Sequence, residues 1–334
     1  MKKFNLIFFL ASVSSALGLV VGSCANWGAV SAEEYFAIGM AYYDIGKYEE
    51  AEKWLIRAKA KDRTKTASEY NLGRIAFEGK RYDEAIKYFE KILKRDPNNV
   101  FALKAAAYTH IKNGDIVKAG ELYKRLLALV PESYDDGYNY ALVLFAMKRF
   151  DEAEQVLKTY EFALLDNSDV LLLYARAQRE QGKPEAIDSY ASWLVSNSDP
   201  KVRHEYAQAL EAQEMYARAL DEYRAVYTAL APNSADPSRA GVRFAIARIM
   251  LTADTGNREG ITELKAAVDE GYKDFDEIEK LIFIPVRSNE QISAANKNEI
   301  RAIVTEGRRA QEAAKAEAAA RDNAGGQETE TGVR

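Results

Sequence analysis

The sequence predicts an all-α protein, and three observations carry that prediction. Ala, Leu, Glu, Lys and Tyr dominate, and only seven prolines occur in 334 residues, so helix formers are many and helix breakers few. β-branched runs are rare, which removes the main signal for strands. Finally, "GKYEEA", "KRYDEA", "GDIVKA" and "KRFDEA" end at Ala51, Ala85, Ala119 and Ala153, each 34 residues from the last. A fixed period of that length marks a stack of small helical units rather than one continuous core.

In chain order, the first segment reads as one that is removed before folding. Lys2 and Lys3 form a basic start, residues 6–21 are almost entirely apolar, and Gly22 and Ser23 precede Cys24, the only cysteine. This is the layout of a signal peptide over residues 1–23, with an apolar run short of the roughly 20 residues of a spanning helix. Val21-Gly22-Ser23-Cys24 resembles a bacterial lipobox. That resemblance implies a lipid on the Cys24 thiol, cleavage before it, and an anchored place in the cell envelope, facing the periplasm or the exported surface. A lone cysteine forms no internal disulfide, which fits a role at the N-terminus. Two other readings stay open: Ser23-Cys24-Ala25 also fits a cleavage site for a soluble secreted protein, and the segment could remain as an uncleaved anchor.

The repeats follow. Twelve residues before each motif alanine stands Gly39, Gly73, Ala107 or Ala141, and four residues after it stands Leu55, Phe89, Tyr123 or Leu157. Helices packed side by side approach to about 8–10 Å, and the closest crossings require Gly or Ala. Pro97 and Pro131 close the second and third units. Ala175 keeps the register in a fifth unit, where Gly182 marks the turn and Pro184 falls in the first turn of the second helix, a tolerated position. Ala207, Ala219, Tyr216, Tyr223 and Pro232 define a sixth unit, and residues 241–271 a degenerate seventh.

These spacings resemble the tetratricopeptide repeat over residues 32–290. The resemblance implies a right-handed superhelical solenoid of helix-turn-helix units, with first helices lining a concave groove and second helices facing outward. Residues 270–292 resemble the terminal cap of such arrays. A C-terminal Ala-rich helix is expected over residues 291–321 and a disordered tail over 322–334, where the composition becomes low-complexity.

Composition excludes several functions. The net charge of −5 becomes −7 once two lysines leave with residues 1–23, and an acidic chain without basic clusters is a poor nucleic-acid binder. Two histidines, His110 and His204, stand too far from any cysteine or second histidine for a zinc site. No nucleophile elbow, metalloprotease helix or phosphate-binding glycine loop is present. Acid pairs such as Glu49-Glu50 and Asp83-Glu84 recur at the start of second helices, where they complement the helix dipole. The chain therefore reads as a binding protein without a cofactor and not as an enzyme.

By the same resemblance, the groove positions of each first helix are its second, fifth, ninth and twelfth residues. They give Phe36, Met40 and Tyr43, then Tyr70 and Phe77, in the first two units. The third gives Phe101, Tyr108 and Ile111, and the fourth Tyr138, Leu142 and Phe145. The fifth and sixth turn polar, with Arg176, Arg179 and His204. A helix apolar on two stripes is expected to be buried on both, and an exposed apolar patch of this kind marks an interaction site. The expected ligand is an envelope protein or peptide. A small apolar ligand, with the chain serving a transporter, stays open, as does filling of the groove by packing between first helices or by the C-terminal helix.

Overall fold

The computed structural model describes residues 30–60, 62–253, 258–283 and 292–328. Cys24 and the leader expected over residues 1–23 lie outside the described residues. The described residues form helices and turns with no strand beyond an isolated bridge between Ala235 and Ser238. The chain divides into two compact units, Met1–Tyr88 and Phe89–Arg334.

The first unit contains α1 (Ala32–Asp44), α2 (Tyr48–Lys59), α3 (Asp62–Glu78) and the start of α4 (Tyr82–Arg95). Ser31 begins α1 with a reciprocal cap, its hydroxyl accepting from Glu34 N and its own N–H donating to the Glu34 carboxylate at 2.7 Å. The second unit runs through α5 (Val100–Lys112), α6 (Ile116–Leu129), α7 (Tyr134–Ala146), α8 (Phe150–Lys158) and α9 (Glu161–Asp166). It continues with α10 (Ser168–Glu180), α11 (Ala186–Ser196), α12 (Pro200–Ala212), α13 (Tyr216–Ala229), α14 (Arg239–Ala253) and α15 (Arg258–Asp269).

The small residues of the period sit where the helices touch. Ala51, Ala85, Ala119 and Ala153 are all 0% exposed, and Leu55, Phe89, Tyr123 and Leu157 are at most 1% exposed. A methyl added at Gly39 would lie 2.8 Å from Leu55 Cγ, so glycine sets the distance between α1 and α2. The degenerate seventh unit is a hairpin too: Gly260 of α15 meets Leu251 of α14 in the same way, at 2.8 Å from its Cγ.

Each hairpin turn solves the same backbone problem. Helix carbonyls at a C-terminus need partners, and a left-handed residue lets the following amides fold back on them. Residues 46, 80, 114, 148, 182 and 214 all have φ between 58° and 85°. In each, the N–H of that residue and of the next donate back into the first helix, as Gly114 to Ile111 O and Asp115 to His110 O. Glycine takes the conformation freely, whereas Lys80, Lys148 and Glu214 hold it against their Cβ atoms.

Two local departures from the repeat have visible causes. The second helix of the fourth unit breaks after Lys158, because Tyr160 turns inward over Gly137. Its hydroxyl donates to Pro131 O at 2.9 Å, and a Cβ on Gly137 would lie 2.2 Å from its ring. In the fifth unit α11 begins only at Ala186, with Pro184 and Glu185 still in the turn.

The C-terminal end differs from the expected boundaries. A short helix α16 (Phe275–Lys280) and a 3-10 turn (Leu281–Phe283) lead to α17 (Ala294–Glu328), which runs past Arg321 into the tail expected to be disordered; residues 329–334 lie outside the described set. Alanine, glutamate and lysine favour helix as far as Arg321, whereas the extension over 322–328, with two glycines, is not explained by helix propensity. Ile300, Ile303 and Val304 bury against a cluster that includes Phe244, Leu264 and Ile278. Gly307 admits the ring of Phe275 where a Cβ would stand 2.1 Å from it. α17 thus packs on α15, α16 and the 3-10 turn.

The turn geometry gives a paired prediction. Gly114→Ala, at φ 85°, should lower stability by about 1–2 kcal/mol. Lys148→Gly, at φ 58°, should raise it by a few tenths to about 1 kcal/mol. Denaturant midpoints check both, and a fall for Lys148→Gly would contradict the strain at that turn.

Candidate functional site on the first helices

The first helices are α1 and α3 in the first unit and α5, α7, α10, α12 and α14 in the second. In the first unit Phe36, Met40 and Tyr43 are half-buried against Ala51, Leu55, Leu72 and Ile75. The Arg74 guanidinium lies 4.5 Å over the Tyr43 ring. Burial raises the Tyr43 phenol above its ordinary pKa even beside that cation. Tyr70 is also half-buried.

In the second unit Ile111, Tyr138, Leu142 and Phe145 are half-buried against a core that includes Leu103, Tyr123 and Leu144. Tyr108 is half-buried with Lys112 Nζ 5.2 Å from its ring centre. Phe101, at the start of α5, is 70% exposed. Burial also raises the Tyr138 phenol.

The twelfth-position rings have a second task that the sequence reading assigned to a ligand. Tyr43 meets Tyr48 at 5.4 Å, Phe77 meets Tyr82 at 5.5 Å, and Phe145 meets Phe150 at 5.0 Å. In each case the last ring of the first helix closes on the first residue of the second. Such tilted aromatic pairs contribute about 0.5–1.5 kcal/mol beyond their burial. Tyr43, Phe77 and Phe145 are therefore hairpin clasps. In the second unit, Tyr108, Ile111, Tyr138 and Leu142 remain as the apolar strip.

The polar end is occupied from within. Arg176 of α10 forms a two-pronged ion pair with Glu205 of α12, at 2.7 and 2.8 Å, and Arg179 approaches the same carboxylate at 3.7 Å. Tyr190 donates its hydroxyl to Glu205 at 3.1 Å. One repeat on, Glu211 of α12 takes Arg248 of α14 at 2.9 and 2.8 Å and the hydroxyl of Tyr223 at 2.8 Å. Burial beside these carboxylates drives both phenols well above their ordinary range. Arg176 and Arg179 thus tie neighbouring first helices together instead of presenting open cations.

His204 packs edge-on to Tyr223 at 5.5 Å, and burial lowers its pKa despite Asp236, Glu205 and Glu211 nearby. His110 is 5% exposed, with Nδ1 3.7 Å from Asp115. Lys104 pairs at 2.9 Å with the buried Asp136, whose other oxygen accepts from Ser133 at 2.6 Å. Among the described residues no group of three or more His, Cys, Asp or Glu could hold a metal ion.

Sequence reasoning placed Glu211 at a groove position and missed two other acids that make such bridges, Glu205 and Glu154. The last is 9% exposed and takes Lys183 at 2.6 Å, Gln181 at 2.8 Å and Gln178 at 3.3 Å. A signal existed for it. Glu52 and Arg81 form the same bridge at 3.0 Å in the first unit, and both partners recur three periods later as Glu154 and Lys183.

Two family models match parts of this chain. Residues 36–100 match the model of the tetratricopeptide repeat, and residues 78–160 that of subunit 3 of the anaphase-promoting complex, or cyclosome. An uncharacterized lipoprotein of Treponema pallidum is 24% identical over 172 residues, covering 51% of this chain and 88% of that protein. The RNA polymerase-associated protein CTR9 of Caenorhabditis elegans is 24% identical over 63% of this chain, which spans only 18% of that protein's length. Among solved structures, a tetratricopeptide repeat protein from Parabacteroides merdae is 21% identical, with a TM-score of 0.48 over 73% of this chain and 94% of that one. YrrB, described as a TPR protein with an unusual peptide-binding site, is 14% identical with a TM-score of 0.48 over 52% of this chain and 91% of that one. The fold is an all-α tandem array of tetratricopeptide-type hairpins.

The Glu154 bridge predicts a pH dependence. Burial opposes ionisation of Glu154, but the bonds from Lys183, Gln181 and Gln178 outweigh it and hold the carboxyl below its ordinary pKa. A carboxyl lowered on folding stabilises the native state above its unfolded pKa of about 4.3, and that stability is lost as pH falls through the lower folded value. Between about pH 5 and 3 the wild type should therefore lose stability more steeply than Glu154→Gln. Parallel denaturation curves for the two proteins across that window would refute the assignment.

Proposed function

We propose that this chain is a lipid-anchored adaptor of the cell envelope that holds a peptide or protein partner on the first-helix strip of its second unit. The observation that carries the reading is the contrast along that unit. On α5 and α7, Tyr108, Ile111, Tyr138 and Leu142 stay half-exposed, whereas on α10, α12 and α14 the polar side chains neutralise one another. Half-exposed apolar and aromatic side chains beside satisfied charges suit an extended or helical segment with apolar anchors. A cleft of about 530 Å³ is lined mainly by Glu49, Glu50, Glu52, Glu78, Lys47 and Arg81, and another of about 350 Å³ by Lys273, Asp274, Asp276 and Arg308. Neither is lined by the strip residues Tyr108, Ile111, Tyr138 and Leu142.

The anchor is supported by the residues around Cys24 and by the treponemal relative, which is named a lipoprotein and is matched over 88% of its length. No helix among the described residues is long and apolar enough to cross a membrane. A lipid on Cys24 would raise the effective concentration of a partner held in the same membrane. The helical hairpins supply a rigid surface, so binding is the proposed activity.

Two outcomes are expected. Intact mass of protein extracted from membranes should show a chain beginning at Cys24 with added acyl mass; an unacylated chain starting at or beyond Asn26 would end the anchor reading. In a pull-down from native membranes followed by calorimetry with the captured partner, Tyr108→Ser with Leu142→Ser should weaken binding at least tenfold, since each anchor contributes about 1.5–3 kcal/mol. Unchanged affinity would move the binding face elsewhere.

A further inference from the structure

The first unit is electrically lopsided, and the lopsidedness follows its two edges. α1 and α2 are antiparallel: Gly39 meets Leu55, and the Tyr35 ring stacks on Trp54 at 5.9 Å. The start of α1 and the end of α2 therefore share one edge. Thr64, near the start of α3, joins them by donating its hydroxyl to Ala58 O at 2.7 Å. Between residues 57 and 65 the sequence holds five basic residues and one acid.

The opposite edge carries the hairpin turns and is acidic. Glu49, Glu50, Glu52 and Glu78 line a cleft there with Lys47 and Arg81, and Lys80 stands at the second turn; Arg81 is paired with Glu52 at 3.0 Å and Lys53 with Glu50 at 2.7 Å. Glu33 and Glu34 are the acids at the start of α1, on the basic edge, and Glu34 is engaged in the Ser31 cap. The basic edge also presents apolar surface: Ile56 is 45% exposed and Val30 is 42% exposed. The Arg57 guanidinium lies 4.7 Å over the Trp54 indole, and Lys59 Nζ lies 5.4 Å from the Tyr88 ring centre. Bases interleaved with a tryptophan, tyrosines and an exposed aliphatic residue are the composition of a membrane–water boundary, where rings sit at headgroup depth and cations meet anionic lipid.

We infer that this edge of the first unit, through Arg57, Lys59, Lys65 and Ile56, seats on an anionic lipid surface. The inference rests on the anchor reading for its geometry. Only seven residue steps separate Cys24 from Ser31 at the head of α1, a reach of at most about 25 Å at the extended length per residue. An acylated Cys24 would therefore deliver the start of α1, and the basic edge beside it, to the headgroups. The acidic hairpin edge then points away from the membrane, since anionic lipid repels it. Seating fixes the orientation of the unit, which a lipid tether alone leaves free to swivel.

The test separates this contact from the tether. The mature chain from residue 24 onward, carrying Cys24→Ser, is sedimented with vesicles of phosphatidylcholine alone and of equimolar phosphatidylglycerol and phosphatidylcholine. Binding is expected to the anionic vesicles only, and to be released by salt, because exposed charges are screened over about 10 Å at 0.1 M. Arg57→Glu with Lys65→Glu should weaken that binding at least about tenfold. Lys47→Glu with Lys80→Glu, the same change of net charge on the hairpin edge, should leave it unchanged, with melting curves confirming that both variants fold. Equal binding to the two vesicle types, no binding to either, or equal loss in both variants would overturn the inference. Absence of acyl mass on the native protein would instead overturn the anchor alone, since the vesicle assay uses a chain without lipid.

Discussion

Two antiparallel helices can share a leucine or tyrosine across their crossing only where the facing residue carries no more than a methyl. That constraint recurs at Gly39, Ala51, Ala85, Ala119 and Ala153, and again at Gly260, and it places every large side chain that follows. Leu55, Phe89, Tyr123 and Leu157 fill the next layer because the alanine four residues earlier has brought the backbones close. Interiors pack at crystal-like density and cannot absorb an added group at such points. The left-handed residue in each turn is the other half of the device: it reverses the chain within three residues and satisfies the helix carbonyls.

On this frame the polar residues act mostly as ties. Glu205 and Glu211 each gather a guanidinium from a neighbouring first helix and a buried tyrosine hydroxyl from a second helix. Tyr190 and Tyr223 occupy the large-residue position of the packing layer, so one side chain serves the core with its ring and the bridge with its oxygen. A carboxylate held by two directional partners is far less available to an outside ligand than its place on the first-helix face suggests. The α5 and α7 faces carry fewer such ties and keep apolar side chains half-exposed, which is why the proposed partner is placed there.

The fold was legible in the sequence because its determinants are local and periodic. Spacing alone identifies Ala85 as a crossing and Tyr123 as a filler, and both are buried as that spacing requires. The groove was less legible. Position within the repeat separates the outward face of a helix from the inward face, but it does not say what else occupies the outward face. Phe77 and Phe145 hold a groove position and close a hairpin at once, because each ring reaches the residue five places further on, across the turn. The break at Tyr160 was hidden for a related reason, since its cause is the missing side chain of Gly137 on another helix.

The sequence by itself determined the helical class, the 34-residue register and the small-residue crossings, because each depends on which residues recur and at what spacing. It also determined the distribution of charge along the chain, including the bases between residues 57 and 65. Only the tertiary structure decided which charges meet. Arg176 and Glu205 lie 29 residues apart in the chain and become one ion pair through the stacking of α10 on its neighbours. Likewise the C-terminal helix, amphipathic only near its start, packs on α15 and α16 because Gly307 lets the Phe275 ring in. Contacts of that kind depend on shape at a distance in the chain, and no local pattern of residues records them.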